Sequence, residues 1–292
     1  MKIVEKFLTV FLLAILVIST VLLIQIYWQE NQKKFLKVIF LDVGQGDSIF
    51  IETPNGFQTI IDTGPNSIVV RSLSNFISFY DRKINLLITT HSDSDHVGGA
   101  VEILKRFKIQ NFGKNSIIDN DSLNTEIQNI INEKQVDEYF LKSGDKIILD
   151  ALENIYLEVL WPPQDHNEKD NNDNSLVLRL VYIDIKFILT GDASTKIEEK
   201  LLQNNLKSDV LKAGHHGSRT STSENFLSAV NPEFVIISAG RDNRFGHPHQ
   251  EVLDNIENFS HQQKNNKIKI LETFVLGSIY FQSNGLDVWL VE

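Results

Sequence analysis

The chain has 292 residues, of which 42% are hydrophobic and 23% charged, and it has no cysteine. This is enough apolar material for one large core or two smaller ones, and it excludes a disordered or collagen-like chain, disulfides and thiolate metal ligands. A formal net charge of -10 argues against capture of nucleic acid by the surface as a whole, but not against a local site whose positive charge comes from bound metal.

Residues 7–28 contain no charged side chain and are almost wholly Leu, Ile, Val and Phe. As a helix rising about 1.5 Å per residue, this stretch is long enough to cross a hydrocarbon core of about 30 Å. Lys2 and Lys6 precede it, Lys33, Lys34 and Lys37 follow it, and Tyr27 and Trp28 stand where an interfacial aromatic belt belongs. A signal peptide would have a shorter apolar run followed by a small-x-small cleavage site, which is not seen here. The expectation is a single-pass anchor in the cell membrane, with residues 1–34 as anchor and linker. Residues 35–292 are then one domain on the extracytoplasmic side.

Residues 35–43 read as a strand ending at Gly44-Gln45-Gly46. Residues 48–53 and 58–62 read as a hairpin around the turn Pro54-Asn55-Gly56. A helix is predicted over 66–80, a buried strand over 84–90 and a helix over 97–106, with Gly98 and Gly99 permitting close packing. Short strands and a helix over 125–132 follow, then strands over 146–149 and 155–161. Residues 162–174 form a polar loop rich in Asn and Asp. A second hairpin (175–182, 185–190) leads into helix 194–206, strand 209–213 and helix 224–230, the last opened by the capping box Ser221-x-x-Glu224. Strand 234–238, helix 250–259 and three terminal strands (268–271, 274–282 and 286–291) complete the chain. Two similar halves, each opening with hairpins and ending in βα units, imply an α/β fold of mixed sheets with helices on their outer faces.

Chemistry concentrates at strand ends. His91-Ser92-Asp93-Ser94-Asp95-His96 places four potential ligands within six residues, directly after a buried strand. A solvated turn with a helix cap accounts for one carboxylate, but not for two aspartates flanked by two histidines. In a tight loop, His91 and Asp93 face one point and Asp95 and His96 another, a spacing suited to two divalent ions about 3.5–4 Å apart. Asp192, His215-His216-Gly217-Ser218 and His247-Pro248-His249 follow later strands in equivalent places. For Asp192 the alternative is a helix N-cap. For Ser218 and Arg219 it is ordinary turn chemistry, and His261 reads as a solvated side chain.

The run His91-x-Asp93-x-Asp95-His96 resembles the metallo-β-lactamase superfamily motif, with Asp93 where the common form has histidine. That variant resembles the β-lactamase-like domain of ComEC-type competence proteins. The likeness continues through Phe40-Leu41-Asp42-Val43-Gly44-Gln45-Gly46-Asp47, Ile61-Asp62-Thr63-Gly64, Asn174-Ser175-Leu176-Val177-Leu178, Leu189-Thr190-Gly191-Asp192, Leu211-Lys212-x-x-His215-His216-Gly217-Ser218 and Gly246-His247-Pro248-His249. The channel helices of full ComEC proteins are not among these motifs. The resemblance implies a four-layer αβ/βα sandwich carrying two divalent metal ions. His91 and Asp93 would hold one ion, Asp95 and His96 the other, Asp192 would bridge them, and His247 would be the last ligand. His215 fits the position of a proton donor to the leaving group, or of a further ligand. The superfamily usually supplies another histidine between the first cluster and Asp192. Here that region offers only His166, while Asn174 and Ser175 occupy the ComEC-like motif.

Asp93 makes the ligand set rich in oxygen, which shifts preference from zinc toward manganese or magnesium, so Zn or Mn is expected. The resulting expectation is a membrane-anchored, metal-dependent hydrolase, a phosphodiesterase or nuclease acting on DNA in competence or DNA uptake. His216, Ser218 and Lys212 would hold phosphate, and DNA-uptake or envelope proteins would be partners. Two alternatives share the same residues: an ester- or lactam-type metallo-hydrolase, and a catalytically weak DNA-binding module of an envelope machine.

Overall fold

The computed structural model describes residues 2–30, 34–117, 121–166, 168–262 and 267–291. Two compact units are distinguished, residues 1–34 and 35–292. The first contains a helix, α1 (Lys2–Glu30), whose described apolar side chains, among them Phe7, Leu16 and Leu23, are exposed. Among the described residues no helix is long and apolar enough to cross a membrane. The expected helix forms, but the expected transmembrane crossing is not shown. The linker expected at 30–34 falls largely on residues 31–33, outside the described residues.

In the second unit the chain begins one sheet, completes another and returns. The first sheet takes β1 (Leu36–Phe40), β2 (Ile49–Glu52), β3 (Gln58–Ile61), β4 (Lys83–Ile88), β5 (Lys108–Lys114) and β6 (Asp137–Phe140). The second takes β7 (Lys146–Asp150), β8 (Ile155–Trp161), β9 (Val177–Tyr182), β10 (Ile185–Leu189), β11 (Val210–Lys212), β12 (Phe234–Ile237) and β13 (Lys269–Glu272). β14 (Ile279–Ser283) and β15 (Val288–Val291) then join the first sheet beside β1. The orders are β15-β14-β1-β2-β3-β4-β5-β6 and β13-β12-β11-β10-β9-β8-β7. Each sheet combines antiparallel hairpins with a parallel run, β3 to β6 in one and β10 to β13 in the other.

Period-two alternation gives each sheet two apolar faces, and hence three buried layers. Between the sheets, Val38, Phe40, Ile51 and Ile88 pack with Leu157, Leu178, Phe187, Ile236 and Phe281. The outer face of the first sheet, with Ile39, Phe50 and Leu87, is covered by helices α2 (Ile68–Leu73), α4 (Ala100–Arg106) and α5 (Ser122–Glu133). A one-turn helix, α3 (Ser94–Val97), precedes α4. The outer face of the second sheet, with Ile188, Leu211 and Val235, is covered by α6 (Thr195–Leu201), α7 (Glu224–Val230) and α8 (Gln250–Gln262). This is the helix–sheet–sheet–helix arrangement expected from the sequence.

Several elements differ from their expected lengths for identifiable reasons. The helix predicted over 66–80 is confined to α2, because Phe76 and Ile77 turn back into the core and residues 74–81 are rich in Ser, Asn and aromatics that favour turns. Helix α7 is capped by Ser223, whose Oγ accepts from Phe226 N at 3.3 Å. Ser221, the cap expected from sequence, instead donates to Gly214 O at 2.6 Å. The strand expected over 274–282 opens with a short helix, α9 (Thr273–Leu276), before β14.

The expected helix over 97–106 is broken at Gly98-Gly99, where the backbone crosses the 63–66 loop. A Cβ on Gly98 would lie 2.1 Å from Pro65 O, and one on Gly99 2.3 Å from Thr63 O. Both obstacles are backbone, so neither can swing aside. Gly98→Ala should therefore lower unfolding free energy by at least about 2 kcal/mol, the usual scale of overpacking. Urea denaturation checks this, and an unchanged midpoint would show that the loop yields.

Candidate metal centre

The parallel runs of both sheets end at the same edge, and the residues following those ends converge. β4 delivers Thr90, His91 and, through α3, Asp93, Asp95 and His96. β3 delivers Asp62, β10 delivers Asp192, β11 delivers His215 and His216, and β12 leads to His247. Ligand atoms of Asp47, His96, Asp192 and His216 all lie within 4.8 Å of one another, and all four residues are buried. The rings of His91 and His96 are 4.1 Å apart, and those of His96 and His216 5.2 Å apart.

Each buried imidazole is fixed through Nδ1 and presents Nε2 inward. His96 Nδ1 is 2.8 Å from Asp62 Oδ2, and His216 Nδ1 donates to Ser238 O at 2.8 Å. His91 Nδ1 is 3.1 Å from Thr90 Oγ1. Thr90 donates its only hydroxyl proton to Asp62 Oδ2 at 2.7 Å, so toward His91 it accepts, and Nδ1 carries the proton. The Nε2 atoms of His91, His96 and His216 are buried without a hydrogen-bond partner, as is Asp192 Oδ1. Such orphaned polar atoms are costly in a folded protein unless something outside the chain satisfies them. Their spacing suits the ligands of a divalent cation. His96 Nε2 lies 3.2 Å from Asp192 Oδ1 without hydrogen-bond alignment, and His216 Nε2 lies 3.3 Å from Asp95 Oδ2 and 3.4 Å from Asp192 Oδ2. Imidazoles held from behind, with Nε2 atoms converging on carboxylates, become the donor set of a divalent metal site once their inward protons are displaced.

Asp47 lies behind this arrangement. Its carboxylate faces the Nδ1 edges of His216 at 3.3 Å and His96 at 4.0 Å, and it is ion-paired with Lys212. Lys212 is fully buried and also donates to Gly191 O at 2.9 Å. It was expected to hold phosphate, but it points at Asp47 instead. His216, also expected at the phosphate, sits inside the cluster. Ser218 is buried, with Oγ 3.0 Å from Thr220 Oγ1. His215 is at the rim, with its side chain 26% exposed and Nε2 3.8 Å from Asp192 Oδ2. His247 stands beside it, ring centres 5.4 Å apart, with Nδ1 buried and unpartnered. Asp93 is more open, with Oδ2 3.7 Å from His91 Nε2 and Oδ1 accepting from Asn171 at 2.5 Å.

The region of the absent histidine is structural. Asn174 uses its amide on the 168–170 loop, accepting from Glu168 N and donating to Glu168 O, both at 2.9 Å. Ser175 Oγ accepts from Asp192 N at 3.1 Å and lies 3.2 Å from His91 Nδ1. His166 packs edge-on against Trp161 with Nε2 3.1 Å from Asp173 O, away from the cluster. Asp47 and Asp62 received no role from sequence, although each is an acidic residue abutting an apolar strand, which was the available signal.

Burial lowers the His91 pKa to about 4, with the neighbouring charge on His96 adding to the effect. Burial also pushes His96 down, but Asp192 and Asp62 outweigh it and hold the imidazole well above 6.5. Burial is likewise overcome at His216, which Asp192 and Asp47 raise to about 9. His247 falls to about 4 through burial and the charges of His215 and His216. Asp192 stays far below the usual carboxylate range, because His216 and His96 overcome its desolvation.

Without metal, His96 and His216 therefore carry protons at neutral pH that a bound cation must displace. Affinity should rise with pH between about 6 and 9, by about tenfold per unit for each proton displaced. Calorimetric titration with Mn²⁺ at pH 7.5 in two buffers of different ionisation heat should show about one to two protons released. No proton release would place the metal elsewhere. In chelator-containing buffer, Lys212→Met should lower stability by about 3 kcal/mol, because the buried Asp47 carboxylate loses its ion-pair partner and keeps only the His216 imidazole at 3.3 Å. A shift below about 1 kcal/mol in thermal unfolding would show that Asp47 finds another partner.

Residues 41–241 match the model of the metallo-beta-lactamase superfamily. The chain is 31% identical to ComE operon protein 3 of Bacillus subtilis over 84% of its length, covering 33% of that protein. It is 31% identical to Competence protein ComA of Neisseria gonorrhoeae over 82% of its length, covering 31% of that protein. The chain thus spans about a third of the length of these relatives. Among solved structures, CmlA, a diiron beta-hydroxylase from Streptomyces venezuelae, superposes with a TM-score of 0.55 at 11% identity, over 87% of this chain and 55% of that one, a likeness of fold. With two helix-covered sheets, a buried histidine–aspartate cluster at their shared edge and a family match over most of its length, the chain belongs to the metallo-beta-lactamase superfamily of hydrolases.

Proposed function

We propose that the protein is a metal-dependent phosphodiesterase acting on DNA, in the competence role that the name of its relative Competence protein ComA denotes. The observation that carries this reading is the convergence of the unpartnered Nε2 atoms of His96 and His216 on the shared carboxylate of Asp192, with the unpartnered Nε2 of His91 facing Asp93 and His215 at the open rim. Two divalent cations, manganese or zinc, suit the set. His91 and Asp93 would hold one, Asp95, His96, His216 and His247 the other, with Asp192 between them. When bound, such cations lower the pKa of water and stabilise charge developing on phosphate oxygens.

The remaining chemistry belongs to side chains. Asp62, Ser238 and Thr90 hold the Nδ1 atoms of His96, His216 and His91, so that once the inward protons of His96 and His216 are displaced each Nε2 faces the site. His215 is held below its ordinary pKa by burial, against the opposing pull of Asp192. An anionic phosphodiester drawn to the rim raises it, placing a proton where a leaving oxygen departs. His215 and His216 both adopt left-handed backbone, φ 45° and 55°. Such strain at consecutive non-glycine residues is kept where geometry serves function.

The exposed apolar side chains of α1 support membrane association, since a helix apolar on its described faces is stable against lipid rather than water. With Lys2 and Lys6 before it, we place α1 in the cell membrane and the catalytic unit on the extracytoplasmic side, where incoming DNA and DNA-uptake proteins would meet it.

The deciding assay incubates the full chain in detergent with single-stranded DNA, double-stranded DNA and a generic ester. DNA cleavage should require added metal, stop with chelator and return with Mn²⁺. Asp192→Asn should lower it at least about a thousandfold, the scale of losing a group that organises the catalytic charge. Ester turnover with intact DNA would move the enzyme out of the phosphodiesterase class. DNA retention without cleavage, unchanged in His91→Ala, Asp93→Ala, would make the chain a binding module.

A further inference from the structure

A second feature lies on the Asp95 side of the cluster. A groove of about 520 Å³ is lined by Val43, Gln45, Pro65, Asp95, Arg244 and Phe245, among others. Phe245 is 46% exposed at its edge, although large aromatics are normally buried. It is not a loosely held side chain. The 240–247 loop is wound around the Asn243 amide, which donates to Gly240 O at 2.9 Å and His247 O at 2.5 Å and accepts from Phe245 N at 3.1 Å and His247 N at 3.0 Å. The base of the loop is tied across the cleft by Gly240 N donating to Gln45 Oε1 at 3.1 Å. Gly246 supplies the left-handed turn, φ 72°, that follows Phe245.

The ring so held is stacked. It lies nearly parallel to the His247 imidazole, with 21° between planes and 5.6 Å between centres. The Arg244 guanidinium carbon is 4.7 Å from the Phe245 centroid. Among the described residues Arg244 forms no ion pair, so its charge is available to a ligand. The result is a ladder of imidazole, phenyl and guanidinium, rising from the metal centre into an open groove. Flat π surfaces beside a free guanidinium, leading from a phosphate-handling site, match a single nucleic-acid strand. Bases stack on aromatic or guanidinium planes, while arginine reaches the adjoining phosphate. In a duplex the bases stack on each other and their faces are closed to such a platform.

We propose that Phe245 forms a stacking platform for a nucleobase of single-stranded DNA, with Arg244 on the adjoining phosphate, one step along the strand from the phosphate at the metal centre. The proposal rests on the phosphodiesterase reading and adds a strand preference that the metals alone do not supply.

The test measures fluorescence anisotropy of a labelled phosphorothioate strand, which resists cleavage, with the full chain in Mn²⁺. The comparisons are the same strand made abasic at one position at a time and the matching duplex. Phe245→Ala should weaken binding of the intact strand about tenfold, the usual scale of one lost base stack. It should leave unchanged the binding of the strand abasic at the stacked position. Phe245→Tyr should retain the intact-strand affinity, and Arg244→Gln should weaken binding of intact and abasic strands alike by removing the phosphate contact. The platform is overturned if Phe245→Ala binds the intact strand as the wild type does, or loses intact and abasic strands equally. A wild type that cleaves DNA while Phe245→Ala behaves identically would defeat the platform alone. A wild type that neither binds nor cleaves any nucleic acid would defeat the phosphodiesterase reading with it.

Discussion

The centre depends on one constraint: several imidazoles must aim Nε2 at the same carboxylate, Asp192, while their Nδ1 atoms are held from behind. Those side chains come from both sheets, so the sheets must bring their strand ends together in register. Leu189 pairs with Lys212 across β10 and β11, and each is followed three residues later by a site residue, Asp192 or His215. β11 pairs Lys212 with Ile236 of β12, whose following loop carries His247. A slip of one residue in β11 would turn Leu211 inward and carry Lys212 and the two histidines away from Asp47 and Asp192. The three apolar layers prevent that slip, because each strand would have to exchange its two buried faces.

The cluster is not a source of stability. Buried ion pairs largely repay their own desolvation, and three unpartnered nitrogens add cost. The fold tolerates this because its stability lies in the sandwich, while polar side chains partly neutralise the site. Lys212 on Asp47 brings a positive charge to the back of the cluster, 3.8 Å from Asp192. The carboxylates keep their charge largely because cationic groups surround them: Asp47 is lowered against its burial by Lys212 and His216, and Asp95 by His216 and His96. The resulting carboxylate-lined cavity favours positive charge even before a cation enters.

Much of this was legible in the sequence, for physical reasons that differ by residue. Period-two alternation and turn chemistry located the hairpins, and the placement of histidines and aspartates after apolar runs located the edge where they meet. The direction of each side chain was less accessible. Lys212 looks like a phosphate ligand because it precedes the two histidines, but alternation along β11 turns it toward Asp47. His216 looks like an outer contact beside His215, but the left-handed backbone of both residues sends one ring inside and leaves the other at the rim. Asp47 and Asp62 act through other residues, across 49 and 34 positions of sequence respectively if counted to His96, and no local pattern reports such pairs. The platform at Phe245 was invisible for the same reason, since an exposed aromatic acquires meaning only from what it stacks on.

The charge of the chain places a final constraint on how it can hold its substrate. At -10, the protein repels a polyanion at long range, and lysines spread over its surface do not offset this. On the proposed function, attraction to DNA must therefore be local, from bound cations at the carboxylate-lined centre and from Arg244 and Phe245. Stacking is short-ranged and indifferent to ionic strength, whereas phosphate neutralisation by side chains releases counterions and weakens steeply with salt. A site built on few phosphate contacts and one or more base stacks gains little by capturing DNA indiscriminately. On the proposed function, it gains most from a strand already delivered to its edge with bases unpaired, as a membrane-associated unit working on incoming DNA would receive it.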